Sequence, residues 1–202
     1  MNIGSPDGIR SFDPFRLADL EHRMWVAYYL RRWPCLLAAS VRLLRLGFGT
    51  NLPRILQAAW LMLRAVQLWA PFPDNDPDGA QARMHELYAL IRLHFGEPAD
   101  PAQAASLEID WWRAHRKRQY AHPVETGDEL VESVIRLYSY LFGKTKAVVR
   151  PAAAHRVQAM DLSDQWVREG CLPDSPLLPL EHAALVRAYS ALLAVVHDEE
   201  PR

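Results

Sequence analysis

The sequence has few of the residues that build β-sheets. Its 202 residues include only 13 Val, 6 Ile and 3 Thr, against 28 Leu and 27 Ala. β-branched residues favour strands, whereas Leu and Ala are strong helix formers. The composition therefore predicts an all-α protein, and it excludes the collagen-like, disulfide-rich and disordered classes.

Cysteine is nearly absent as well. Cys35 and Cys171 are the two cysteines, and neither belongs to a CxxC or CxxCH motif. Their spacing excludes a zinc ribbon, a thioredoxin-type redox pair and a covalently attached haem. We expect two small buried thiols in a reducing compartment.

Several catalytic and targeting motifs are also missing. The chain has no GxGxxG, no GxxxxGK[ST] and no GxSxG, which argues against dinucleotide, P-loop and serine-hydrolase chemistry. The start, MNIGSPDGIRSFDPF, lacks the apolar core of a signal peptide, and we expect residues 1–12 to be a disordered tail. The most apolar stretch, 55–72, carries Arg64 near its middle, so we expect no membrane span and a cytoplasmic protein.

Helix starts are marked by a repeated dipeptide. Asp precedes Pro at 13–14, 76–77 and 100–101, where the Asp side chain can cap a first turn and Pro loses no hydrogen bond. Thr126 and Glu129 have the spacing of a capping box. These signals and the helical periodicity predict a single bundle of about seven helices, at roughly 14–48, 52–70, 78–95, 101–120, 127–142, 150–169 and 179–198.

The predicted first helix is long and apolar on two sides. Leu17 and Leu20 lie on one apolar stripe, and Trp25 and Tyr29 lie on another. A helix with two apolar faces is predicted to be central, with a kink at Pro34. Because Glu21 lies between the stripes, we expect it to be partly buried and to need a partner.

Ionisable residues in line with apolar neighbours define the candidate site. Glu21, Glu86, Glu108, His115 and Asp164 have such positions on four predicted helices. Together with aromatic and Arg neighbours, these residues are predicted to form a buried polar cluster that could bind a ligand. No catalytic residue is assigned. The predicted cluster consists of Glu21, Tyr28, Arg32, Glu86, Glu108, Trp111, His115, Arg156 and Asp164.

Two arrangements would compensate the buried charges of such a cluster. One is a network of ion pairs, because the chain has 20 Arg against 3 Lys and Arg forks readily onto carboxylates. The other is an iron or manganese centre on Glu21, Glu108 and His115, as in a helical-bundle oxidoreductase. The Glu-x-x-His spacing typical of such centres is absent, so we predict no cofactor in the leading interpretation. A non-covalent haem on His115 or His155 is a further alternative.

Charge is distributed in two blocks. Residues 22–73 contain seven Arg and no acid, whereas residues 74–110 contain eight acids and two Arg. We expect the two blocks to pack together and largely cancel, and we expect no nucleic-acid partner because the chain's pI is about 6.7. The leading hypothesis is a non-enzymatic binding or scaffold protein whose aromatic and Arg-rich surface makes a homo-oligomeric or partner contact. The alternative is the metal-dependent enzyme.

Overall fold

The computed structural model describes residues 10–49, 51–97, 100–120 and 128–196. Helices make up 83% of this part of the chain, and it contains no strand. The all-α prediction is therefore confirmed, although the described residues form eight helices instead of seven. They are α1 (Pro14–Tyr29), α2 (Trp33–Phe48), α3 (Leu52–Trp69), α4 (Pro77–Phe95), α5 (Pro101–Tyr120), α6 (Glu129–Phe142), α7 (Lys146–Arg168) and α8 (Leu177–Val196).

The three Asp-Pro signals all mark helix starts. Asp13 Oδ1 accepts from the backbone N–H of Phe15 at 2.9 Å, and α1 begins at the next residue after Asp13. Asp76 caps α4 in the same way, with 2.8 Å to the N–H of Gly79. Asp100 Oδ1 caps α5 through a 2.9 Å bond from the second residue of that helix. The helix starts are thus set by local capping, as predicted.

The predicted first helix, 14–48, is two helices. The N–H of Arg32 donates to the carbonyl of Ala27 at 2.8 Å. The N–H of Arg31 donates to the carbonyl of Tyr28 at 3.0 Å. This pair of bonds is the Schellman arrangement that ends a helix. Arg31 has a φ of +55°, so the chain leaves α1 there, and Pro34 lies in the first turn of α2 instead of kinking a continuous helix.

Two later helix starts also differ from prediction. α6 begins at Glu129, after Asp128. Thr126, the first residue of the predicted capping box, lies outside the described residues. α7 begins at Lys146, and Pro151 lies inside it. The predicted start, at residue 150, is four residues later in the chain.

Both cysteines are more exposed than predicted. Cys35 is exposed in the first turn of α2, and Cys171 is partly exposed just beyond α7. The expectation of two buried thiols is therefore wrong. Both are free thiols at helix ends, where fewer neighbours cover a side chain than in a helix interior.

One compact unit consists of Arg23–Ile109 and the described part of Met1–Phe12. In it α3 packs against both α2 and α4. Ile55, Ala58 and Ala59 on α3 are fully buried. α3 comes from the basic block and α4 from the acidic block, so two helices of the blocks pack together as predicted, although α4 itself has two acids and two Arg.

The other compact unit consists of Asp13–His22 and the described part of Asp110–Arg202. Here α7 packs against both α6 and α8, and Val149, Trp166 and Leu185 are almost completely buried. The boundary between the units falls inside α1 and inside α5. A single domain and a central first helix remain predictions.

Among the described helices, α8 is long and apolar enough by length and composition to cross a membrane, with a mean hydropathy of 1.2 over its most apolar window. The helix that contains most of the apolar stretch 55–72, α3, does not meet this criterion. Core helices of soluble proteins pass the same test, and α8 packs against α7. The finding is weak evidence for a span.

Candidate functional site

Glu21 is the centre of a buried polar network in the unit that contains α6, α7 and α8. Its side chain is 9% exposed, and its carboxylate accepts hydrogen bonds from Arg156 and from the hydroxyl of Tyr189. Arg156 also donates to the hydroxyls of Tyr138 at 3.2 Å and Tyr189 at 2.8 Å. Glu21 thus lies buried in an ion pair with Arg156.

The Arg156 guanidinium lies over an aromatic ring as well. Its central carbon is 5.5 Å from the centroid of Trp111 on α5. A planar cation between a carboxylate, two phenols and an indole is held on several sides, which favours a single side-chain position. This network pairs its own charges and ties the helices that contribute to it.

A second pair joins α5 and α7. His115 Nε2 lies 3.0 Å from Asp164 Oδ2, and Gln119 donates to Asp164 Oδ1 at 2.7 Å. Asp164 is 5% exposed, so its carboxylate is a buried acid with polar partners on both oxygens. His115 and Asp164 are predicted site residues, whereas Gln119, one helical turn after His115, is not among them.

The other four predicted site residues have different surroundings. Glu86 is exposed and pairs with Arg83 one turn away, and Arg32 is exposed at the start of α2. Their predicted places in a buried cluster are wrong, because alignment with apolar residues does not show which side of a helix is covered. Glu108 accepts from the Tyr88 hydroxyl at 2.9 Å.

Tyr28, the last of the predicted residues, packs on a small apolar cluster. It lies against the buried side chains of Ala27, Leu36 and Leu63. Its ring also meets the ring of Trp33 edge to face, with 6.4 Å between centroids. Tyr28 therefore has an apolar packing role in the unit that contains α3.

The proposed metal ligands each have other partners. Glu21 pairs with Arg156, Glu108 with Tyr88, and His115 with Asp164, as described above. Among the described residues, no three His, Cys, Asp or Glu side chains are grouped as a metal ion requires. The arrangement gives the iron or manganese hypothesis no support, and that hypothesis stays a prediction.

A further buried acid, Glu181 on α8, is not among the predicted site residues. It is 1% exposed, its Oε1 lies 3.0 Å from His22 Nδ1, and its Oε2 has no hydrogen-bond partner in the described part of the chain. The ring of His182 meets that of His22 edge to face at 5.8 Å. Glu181 is in line with Ala184 and Leu185, so the pattern that identified Glu21 could have found it.

The outer side of α3 is an exposed apolar stripe. Leu52 and Leu56 are each 50% exposed and Trp60 is 55% exposed, at successive spacings of four residues. Arg64 continues the spacing, with its guanidinium carbon 6.0 Å from the Trp60 ring centroid. We call Leu52, Leu56, Trp60 and Arg64 the α3 stripe. Apolar side chains in a row on a surface are typical of interaction sites.

An Arg–His hydrogen bond lies where α3 meets α4. Arg54 Nη1 is 2.7 Å from His94 Nδ1, and an Arg can only donate, so this ring nitrogen accepts and carries no proton. The pKa of His94 is lowered from its ordinary 6.5, first by burial and then by the charge of Arg54. The contact between α3 and α4 thus favours the neutral form of His94.

No family model matches the chain, and no curated protein or solved structure is significantly similar to it. The function has to be inferred from the residues themselves.

Proposed function

We propose that the protein is a non-enzymatic, cytoplasmic binding or scaffold protein, a single helical bundle whose α3 stripe docks an acidic amphipathic helix of a partner protein. The observation that carries this proposal is the row of half-exposed Leu52, Leu56 and Trp60 that ends in Arg64. Residues four apart on a helix face are the anchors by which helices recognise one another. Trp and Arg are also the residues most enriched among binding hot spots.

The positive charge around the α3 stripe favours an acidic partner. Residues 22–73 contain no acid, so every formal charge in α2 and α3 is a cation. Arg42 and Arg45 on α2 are exposed, in addition to Arg64. A helix with acidic residues beside its apolar face complements such a surface. A second copy that docked through the same stripe would bring Arg64 to a face without carboxylates.

A lipid surface fits the stripe less well. Membrane-surface helices have one apolar face and one polar face rich in cations. The opposite side of α3 is instead packed in its unit, with Ile55, Ala58 and Ala59 fully buried. α3 therefore cannot lie in a membrane interface as an independent amphipathic helix, and only the three apolar residues of the stripe could enter one.

Two synthetic helical peptides with one apolar face test the proposal. They have the same Leu and Trp positions, and their polar positions are Glu in one and Lys in the other. We expect the full-length protein to bind the Glu peptide, with affinity falling as salt is added, and to bind the Lys peptide far more weakly. Fluorescence anisotropy of labelled peptides measures both affinities.

Variants locate the contact. We expect Trp60→Ala to weaken Glu-peptide binding by about 30-fold, and Arg64→Gln by about fivefold, as for a central and a peripheral contact. Leu180→Ala is the matched control, because Leu180 on α8 is 53% exposed and lies outside the stripe. It should leave binding unchanged.

Three results would overturn the proposal. The first is equal binding of both peptides, or equal loss in Leu180→Ala and Trp60→Ala. The second is a dimer, seen by light scattering, that Trp60→Ala dissociates, since the stripe would then bind a second copy. The third is Trp60-dependent binding to phosphatidylserine vesicles without binding of the Glu peptide.

A further inference from the structure

Two histidines lie close together, one on α1 and one on α8, and a buried carboxylate holds the first of them. His22 Nδ1 is 3.0 Å from Glu181 Oε1, and the ring centroids of His22 and His182 are 5.8 Å apart. All three residues belong to the compact unit that also contains α6 and α7. We call His22, Glu181 and His182 the α1–α8 cluster.

Glu181 determines which nitrogen of His22 is available to a ligand. An ionised carboxylate can only accept a hydrogen bond, so neutral His22 carries its proton on Nδ1 and has a lone pair on Nε2. This Nε2 has no partner in the described part of the chain, and the side chain of His22 is 19% exposed. Histidines that bind metal ions typically donate their other ring N–H to a carboxylate, which fixes the ring and makes the free nitrogen more basic.

His182 provides a second imidazole within reach. It is partly exposed, and within the described residues its ring contact with His22 is its only side-chain interaction. The two rings are not stacked, because their planes are 81° apart. Two imidazoles on one tetrahedral ion have centroids about 5 Å apart, since each metal–nitrogen bond is about 2 Å long. The observed 5.8 Å differs from this by less than about 1 Å, which rotation of the side chains covers.

The buried charge of Glu181 favours a cation at this place. Glu181 is 1% exposed, and its Oε2 has no hydrogen-bond partner in the described part of the chain. The Glu21 carboxylate, by contrast, has the Arg156 guanidinium as its counter-ion. A desolvated carboxylate whose partner is a neutral imidazole lacks such compensation. A metal ion on His22 Nε2 would provide positive charge on the far side of the ring that Glu181 holds.

We infer that the α1–α8 cluster binds a divalent cation of the zinc class, Zn²⁺, Ni²⁺ or Cu²⁺. His22 Nε2 and a ring nitrogen of His182 are the ligands, and Glu181 is the positioning residue that orients His22. Imidazole nitrogens select these ions over Mg²⁺ and Ca²⁺, which prefer oxygen. The described residues place no third His, Cys, Asp or Glu ligand in the group, so water completes the coordination and the ion exchanges readily.

This inference is independent of the proposed function, because the cluster shares no residue with the α3 stripe. It also differs from the metal centre predicted from the sequence, which places iron or manganese on Glu21, Glu108 and His115. Those three side chains have other partners in the structure, whereas the lone pair of His22 Nε2 and the nitrogens of His182 are available.

Calorimetric titration of the metal-free full chain with zinc chloride at about pH 7.5 tests the site, since histidine is then mostly neutral. We expect one zinc ion to bind with a Kd between about 1 and 100 µM, and magnesium chloride to give no binding below about 1 mM. A long-range ¹H–¹⁵N spectrum of the histidine rings shows which nitrogen responds. We expect zinc to shift Nε2 of His22 and to leave the proton on its Nδ1.

Variants locate the ligands. His22→Gln and His182→Gln should each weaken zinc binding by at least about tenfold, because each removes one of two nitrogen ligands. His155→Gln is the matched control, since His155 is also partly exposed but lies on α7 outside the cluster, and it should bind zinc like the unmodified protein. Circular dichroism verifies that each variant is folded.

Glu181→Gln tests the positioning role. We expect it to weaken zinc binding by about tenfold, which is the usual effect of losing a carboxylate behind a histidine ligand. The metal-free ring spectrum provides a second measurement that a purely structural role would not change. His22 should populate both tautomers in Glu181→Gln, because an amide can accept or donate a hydrogen bond.

Three outcomes would overturn the inference. The first is the absence of saturable zinc binding up to about 1 mM. The second is unchanged zinc affinity in folded His22→Gln or folded His182→Gln, which would place the ion elsewhere. The third is magnesium binding as tight as zinc binding, because oxygen ligands instead of imidazoles would then hold the ion.

Discussion

At the scale of single residues, the Glu21 network shows how a buried charge is accommodated. Glu21 and Arg156 have side chains that are 9% and 14% exposed, so both are largely removed from water. Desolvation of two ions costs free energy that only close pairing and further hydrogen bonds recover. The Tyr138 and Tyr189 hydroxyls provide those bonds to Arg156. Removal of the cation therefore has a larger effect than loss of one surface ion pair.

We predict that Arg156→Met lowers the free energy of unfolding by about 3 to 5 kcal/mol, because Glu21 then carries a buried charge without its counter-ion. The double variant Glu21→Leu with Arg156→Met should recover most of this loss, since no charge remains. Urea denaturation followed by circular dichroism measures both. Arg83→Met breaks the exposed pair with Glu86 and is the control, with an expected loss below about 1 kcal/mol. Equal losses in the two single variants would contradict the prediction.

Residue burial was only partly predictable from the sequence. Glu21 could be predicted because apolar residues flank it on two sides of one helix. Its hydroxyl partner Tyr189 is distant in sequence, and no local pattern connects the two. Glu86 has apolar residues in line with it, yet it is exposed, because only tertiary packing decides which side of α4 is covered.

At the scale of helices, three helix starts could be predicted from the sequence, whereas the break between α1 and α2 could not. An Asp cap acts within one turn, so the Asp-Pro dipeptides at α1, α4 and α5 show it directly. The break after α1 depends on Arg31 in a conformation that usually requires glycine. Arg31 is held there by a 2.8 Å bond to the Ala70 carbonyl and by the rings of Tyr28 and Trp33. Such support is tertiary and leaves no local signal.

The contact between α3 and α4 predicts how stability responds to acid. Because the pKa of His94 is lowered in the folded state, the folded protein resists protonation there more than the unfolded chain does. This contribution to stability is complete above pH 6.5 and is lost as the pH falls through the lowered folded pKa. We therefore expect the unfolding free energy to decrease as the pH falls below about 6.5, and His94→Gln to remove part of that decrease.

Arg54→Gln separates the two causes of the effect. Burial, the larger cause, remains in this variant, whereas the repulsion from the guanidinium is gone. Its loss of stability in acid should therefore lie between those of the unmodified protein and His94→Gln. Denaturation curves across the pH range measure all three proteins. A His94→Gln profile parallel to that of the unmodified protein would show that His94 does not contribute.

At the scale of the whole molecule, near-neutral net charge hides a segregated pattern. The basic residues 22–73 include α2 and α3, and the acidic residues 74–110 include α4 and the first half of α5. α3 packs against α4, the contact that the order of the two blocks predicts, although α4 itself has two acids and two Arg and no net charge. The stripe residues Leu52, Leu56 and Trp60 lie on the side of α3 that stays exposed. Charge order along the chain thus predicted a helix contact, whereas the exposed stripe was visible only in the structure.

The division into two compact units makes the predicted single domain testable. α1 and α5 each contribute residues to both units, so unfolding of one unit leaves two helices of the other without their continuation. We expect Leu63→Ala in one unit and Met160→Ala in the other, with losses of about 2 to 5 kcal/mol, to accelerate exchange of the slowest amides in both units. Hydrogen exchange read by mass spectrometry measures this, with the exposed Leu180→Ala as control. If each variant accelerated exchange only in its own unit, the units would be separate domains, because a shared helix that transmits no loss of stability does not join two cores.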